Sequence, residues 1–199
     1  METEAISKQK FKYWIGKPRD YRANMGEGRV IDMATEKRMD TFVFHPIAYR
    51  FFHAVLFNDI KKGIERPWAE LFFVDENNCL SSILFHGYSV ENLQELVSLL
   101  YYRGHNLEEV SVKVTFTEHK STDANAQNAK YHIAEFKLSE TEADKGWEAH
   151  VGWAAKNKPY RQDTLSANEV NEVTFNYPQF DNSEVGAQEE KEKEKEESD

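Results

Sequence analysis

The sequence predicts a mainly β domain with one helix, preceded by a basic aromatic segment and followed by an acidic tail. Three observations carry that prediction. Between residues 40 and 138 the apolar residues fall in short runs rich in β-branched and aromatic types, with turn residues between them. Within that span only "SVENLQELVSLLYYRG" places its apolar residues at helical spacing. The formal net charge of −10 is unevenly distributed: residues 181–199 hold nine carboxylates and three lysines, a net of −6 that leaves −4 for the rest.

The elements follow in order. "NMGEGRVIDM" contains two close glycines and reads as a turn or flexible connection. "TFVFHPIAYRFFHAVLFN" (41–58) reads as one long bent strand, or two short ones, broken by Pro46. A basic loop, "DIKKGIERP", follows. "WAELFFV" (68–74) and "LSSILFH" (80–86) flank "DENNC", whose Asp and Asn mark a hairpin tip. The helix comes next, with Ser89 as expected N-cap, Glu91 in its first turn and Arg103–Gly104 at its end. Its apolar face is expected to hold Val90, Leu93, Leu96, Val97, Leu100 and Tyr101. "EVSVKVTFTEH" alternates Val110, Val112, Val114 and Phe116 against Ser111, Lys113, Thr115 and Thr117, the pattern of a half-buried strand. After a polar loop, "KYHIAEFKL" (130–138) is expected to pair antiparallel with it. "TFNYPQF" (174–180) reads as a short strand or docking segment, and "EEKEKEKEESD" as a solvated low-complexity end.

Composition narrows the function classes. With 199 residues, 40% apolar and 13% aromatic, the chain can form one domain with a real core. Mean hydropathy is −0.74. The single cysteine, Cys79, excludes an internal disulfide and a cysteine-rich zinc site, and fits a reducing compartment. The start, "METEAISKQK", lacks the apolar core of a signal peptide, and no run approaches the roughly 18 apolar residues of a membrane span. The expectation is a soluble, cytoplasmic protein. His45, His53, His86, His105, His119, His132 and His150 are scattered without metal-ligand spacing. There is no Gly-rich phosphate loop, no nucleophile elbow and no Cys–His pairing. No catalytic residue, metal or cofactor is expected.

The segment "KQKFKYWIGKPRDYR" (8–22) sets six cations against Asp20 and adds Phe11, Tyr13, Trp14 and Tyr21. Such a mixture suits a single strand of nucleic acid, which exposes phosphates and base faces together. Cations displace counterions from the phosphates, and aromatic rings stack on bases with little sequence preference. The expected contacts here are Lys10, Lys12, Tyr13, Trp14, Lys17, Arg19, Tyr21 and Arg22. A second group surrounds the long strand and its loop: Tyr49, Arg50, Lys61, Lys62, Arg66 and Trp68. Lys113 joins from the polar strand face, and Trp153, Lys156 and Lys158 from a second basic aromatic stretch, 145–161. The plainer alternative is that Phe11, Trp14 and Ile15 pack on the core with the lysines outward, as do Trp147 and Trp153 of the second stretch.

The order of long bent strand, two strands, helix and two strands resembles an OB-fold, a five-stranded barrel with a helix after its third strand, whose face and loops bind oligonucleotides. With the basic aromatic segment and the acidic end, the whole chain resembles phage and bacterial single-stranded DNA-binding proteins. The resemblance rests on element order and on the tail; the chain ends in Glu197, Ser198 and Asp199 where tails of that family often end in an aromatic or apolar residue. It implies a basic aromatic N-terminal arm (1–39), an OB-like core (40–138), an extension on or near it (139–180) and a disordered acidic tail (181–199). It also implies sequence-independent single-stranded DNA binding in replication or recombination. The tail would compete for the groove or dock replication and recombination proteins, and self-association into a homo-oligomer would be compatible. The rivals are a phage-type protein-interaction module or inhibitor of a host enzyme, an RNA-binding protein, and an enzyme assembled from scattered residues.

Overall fold

The structure, a computed structural model, describes residues 11–56, 65–120, 130–140, 146–165 and 174–175. Its elements are β1 (Arg19–Asn24), β2 (Arg29–Asp32), β3 (Arg38–Met39), β4 (Phe42–Phe44), β5 (Pro46–Ala54), β6 (Arg66–Val74), β7 (Leu80–His86), α1 (Tyr88–Tyr102), a 3-10 turn at Leu107–Glu109, β8 (Val112–Lys120), β9 (Lys130–Leu138), α2 (Trp147–Asn157), α3 (Gln162–Leu165) and β10 (Thr174–Phe175). The fold is mainly β with three α-helices among the described residues.

The strands form two open sheets. The larger runs β10–β5–β6–β7–β1–β2–β3; the smaller runs β4–β8–β9. All pairs are antiparallel except β1 with β7. The five-stranded closed barrel expected from the element order is therefore not what the described strands build. Pro46 divides the 41–58 run as its missing N–H dictates, and the two pieces go to different sheets: β4 pairs with β8, β5 with β6. The expected arm is also corrected. Residues 19–39 supply β1, β2 and β3 to the large sheet, and Tyr21 and Val30 lie in the main core.

That core lies between one face of the large sheet and a layer made by α1 and the small sheet. Tyr49, Phe51, Ala69, Leu71, Phe73, Ile83 and Phe85 meet Leu93, Val97, Val112, Val114 and Phe136 there. The other face carries Ala48 and Phe72, covered by Phe11 and Ala154, and further along Phe52 and Trp68. Covered on both faces, β5 to β7 read as nearly continuous apolar runs rather than alternating ones. Each fully buried Phe or Leu stabilises by about 1.5–3 kcal/mol.

The β6–β7 hairpin forms as its turn residues predict: Asp75 Oδ1 accepts from the N–H groups of Asn77 and Cys79, both at 2.9 Å, and Asn78 takes φ 54°. Helix α1 differs from expectation at its start. Gly87, at φ 61°, is the N-cap. Ser89 is buried in the first turn, where its hydroxyl accepts from the Ala134 N–H at 2.9 Å and so ties α1 to β9. Five of the six expected apolar positions are buried; Tyr101 is exposed. The expectation of one helix is also corrected: α2 forms in a stretch that carried no expected helix, and the short α3 follows it. Val151 and Ala154, one turn apart, drop onto Phe11, Ala48 and Phe72.

The β1–β2 hairpin is pinned to the small sheet. The His132 N–H donates to the Met25 carbonyl at 2.8 Å, and Gly28, at φ 67°, sits against the His132 ring. A Cβ at Gly28 would collide with that imidazole. Gly28→Ala is therefore expected to destabilise the protein by about 1–3 kcal/mol, combining left-handed strain with overpacking. Equilibrium urea unfolding measures it, and an unchanged midpoint would refute the close packing.

Candidate nucleic-acid interface

The structure brings together the two basic aromatic stretches that the sequence holds far apart. Phe11 is buried edge-on against His150 and Trp153, at centroid distances of 5.3 and 4.8 Å, and Tyr13 meets Trp153 at 5.7 Å. The Tyr13 hydroxyl donates to the Tyr160 carbonyl at 3.3 Å and accepts from the Gly16 N–H at 3.0 Å. The Gln162 N–H donates to the Gly16 carbonyl at 2.8 Å. Gly16 is required here: its φ is 75°, and a Cβ would lie 3.1 Å from the Tyr160 ring.

These contacts hold a turn, Trp14–Lys17, closed by the Lys17 N–H donating to the Trp14 carbonyl at 2.8 Å. Trp14 is 76% exposed and Ile15 72%. The Lys17 ammonium lies 5.8 Å from the Trp14 ring centroid. Lys12, Trp14, Ile15 and Lys17 line an open groove of about 630 Å³. Lys156 and Lys158 are exposed at the end of α2, next to the Pro159–Tyr160 segment that supports the turn. Lys12, Arg22, Lys156 and Lys158 make no ion pair among the described residues.

The other expected contacts are placed differently. Tyr21 is buried, stacked on Phe42 at 5.3 Å. Burial pushes its hydroxyl far above the usual phenol range. Tyr49 is buried in the main core, and Trp68 on the opposite face donates from Nε1 to the Ala54 carbonyl at 3.0 Å. None of these rings is open to a base. Arg50 is fully buried against Glu70. Arg19 is held by Asp32 and Asp75. Trp153 is half-buried under Phe11 and Tyr13, and Arg66 is half-buried at the start of β6. Lys113 is exposed on the outer face of the small sheet, opposite Lys137, with that sheet's inner face in the main core between it and the large sheet. Lys10, Lys61 and Lys62 lie outside the described residues. Tyr13 is half-buried: its hydroxyl supports the turn, and the residue also lines the groove. The sequence reading missed Ile15 as a surface group; the "WIGK" run, with glycine just after two apolar residues, is the signal of a turn that exposes them.

Two charged clusters remain. In the first, Asp32 and Asp75 border a cavity of about 400 Å³ floored by Phe42, Phe44 and Phe73. Their oxygens are already engaged. Asp32 accepts from Arg19, from the Ala34 N–H at 3.0 Å and from the Thr35 hydroxyl at 2.7 Å. Burial alone would raise its carboxyl; the Thr35 hydroxyl, Arg19 and the Ala34 amide outweigh that and hold it below the usual carboxylate range. Asp75 takes its own turn amides, the Ser81 hydroxyl at 3.0 Å and Arg19 at 3.4 Å. These carboxylates anchor the turns at Asp32–Thr35 and Asp75–Cys79. In the second cluster, Glu70 binds Arg50, the Thr164 hydroxyl at 3.3 Å and, at 3.8 Å, Arg161. Arg161 also pairs with Asp20 and Asp163, each at 2.7 Å. Burial pushes the Glu70 carboxyl upward against the pull of both guanidiniums. This cluster fastens residues 161–164 to the sheet. Among the described residues no three His, Cys, Asp or Glu side chains are grouped to hold a metal ion, and no helix is long and apolar enough to cross a membrane.

The fold and surface define a two-sheet, mainly β protein that displays a fastened turn with a bare indole among lysines. Comparison with protein-family models, curated proteins and solved structures finds no match to the chain.

Proposed function

We propose that this protein is a non-catalytic, sequence-independent binder of single-stranded DNA that works at the Trp14 turn. The observation that carries the reading is the exposed indole on a turn fixed from below, with lysines beside it that make no ion pair among the described residues. An exposed Trp in water is poorly placed, and a base face is the partner that recovers its stacking surface without demanding a sequence. The lysines supply phosphate neutralisation in an otherwise acidic chain. The reading needs no closed barrel, because the groups come from one turn and the segment that supports it. Strand protection in replication or recombination, in a phage or bacterial cytoplasm, is the setting such binding fits. The acidic tail, at −6, carries the same sign as DNA and competes with it for the lysines.

The test is fluorescence anisotropy of an oligo-dT of about 30 nucleotides across a salt series, for the full chain and for a chain ending at Phe180. Four lysine–phosphate contacts at the turn, at about −0.7 each, predict a log–log salt slope at least as steep as about −3, or a loss of affinity of at least roughly 50-fold between 50 and 200 mM salt. The shortened chain is expected to bind more tightly at low salt. Absence of binding by both chains at low salt would overturn the reading. An oligo-U of equal length in the same assay separates DNA from RNA preference. One observation favours a second reading, protein docking: Leu99, Tyr101 and Tyr102 are exposed together at the end of α1.

A further inference from the structure

We infer that the bound strand continues from the Trp14 turn across the uncovered part of the large sheet, over β1, β2 and β3, with Arg22 and Arg38 as its phosphate contacts. The inference rests on the proposed function and extends its site. Strand register places Arg50, Glu70, Leu84, Arg22, Ile31 and Arg38 in one row across six strands, hence on one face. At the β5–β6 end that row is covered by α2 and residues 161–164, and its charges pair with each other. The cover stops at β1, where Arg161 meets Asp20. Beyond it Arg22 and Arg38 are exposed, Ile31 is half-buried and Met33 is exposed.

Charge selects the occupant. Arg22 has no ion-pair partner among the described residues, and Arg38 meets only the partly exposed Glu27, at 3.0 Å. Asp20, the nearest carboxylate on β1, is already held by Arg161. The patch therefore offers guanidiniums to a polyanion, and Ile31 and Met33 offer apolar surface to its bases. Continuity fixes the path: β1 begins two residues after Lys17, so the lane starts where the Trp14 turn ends.

The experiment compares the full-length wild type with Arg22→Ala, Arg38→Ala, their double variant and Trp14→Ala, using dT oligonucleotides of increasing length. The double variant is expected to bind long oligonucleotides several-fold more weakly and to lose about 0.7 of salt slope per arginine, with its thermal midpoint unchanged. Short oligonucleotides, which span only the turn, should lose affinity in Trp14→Ala and not in the double variant. Arg22→Lys should keep the slope. If Trp14→Ala weakens binding while the double variant matches wild type in affinity and slope at every length, the lane is overturned and the turn stands. If the wild type binds no oligonucleotide, the proposed function and this extension fall together.

Discussion

Glu70→Ala is expected to cost about 3–5 kcal/mol of stability at neutral pH, because it leaves the Arg50 guanidinium in the core with its main partner gone. Arg50 and Glu70 are both 0% exposed. One Arg50 nitrogen, Nη1, already has no hydrogen-bond partner, so little remains to absorb the loss. At this chain length each kcal/mol shifts the thermal midpoint by about 2–4 °C, so a fall on the order of 10 °C should be seen by calorimetry. Arg50→Met with Glu70→Leu should recover much of that fall, since apolar replacement of both partners removes the uncompensated charge. A loss under about 1 kcal/mol for Glu70→Ala would show that the pair is not shielded from water. The substitution should also reach the interface. Arg161 and Thr164 lose their shared acceptor, residues 161–164 loosen, and with them the Tyr160 and Gln162 contacts that hold Gly16. Weaker oligo-dT binding should therefore accompany the lower stability.

Trp14→Ala is expected to act in the opposite pattern. Its ring is mostly in solvent, so unfolding free energy should change by no more than about 0.5 kcal/mol, as for other surface substitutions. Affinity for oligo-dT should fall about 5- to 150-fold, the equivalent of 1–3 kcal/mol for one stacked base. Trp14→Phe should retain part of the affinity, and the salt slope should be unchanged because no cation is lost. Unaltered affinity in Trp14→Ala would remove the turn from the site. A point substitution is the right probe: deleting residues 1–25 would also remove β1 and the buried Phe11, and would confound binding with folding.

Much of the local structure was legible from residue patterns. The β6–β7 hairpin is specified by two apolar runs around Asp75 and Asn78, and α1 by Val90, Leu93, Leu96, Val97 and Leu100. The division of strands into two sheets was not, because β4 finds β8 and β1 finds β7 through contacts far apart in the chain. The site was legible as a composition and not as a surface. Tyr21 and Arg22 must point to opposite faces of β1, but nothing local says which face is covered. Tyr49 and Arg50 also point to opposite faces, and both are buried because β5 lies between two layers. Helix α2 was missed because its buried positions are few, with Ala154 its only fully covered side chain.

The hydroxyl of Tyr13 and the carbonyl of Tyr160 that supports it are 147 residues apart. β1 likewise adds beside β7, with Arg19 in register with Ser81. The segment around Trp14 is synthesised before its sheet neighbour β7 and before the Tyr160–Gln162 segment that supports it. A nascent chain therefore carries the indole and lysines without the framework that orients them. The arrangement ties assembly of the turn to completion of synthesis through at least Gln162, and makes its formation a long-range, late step in folding.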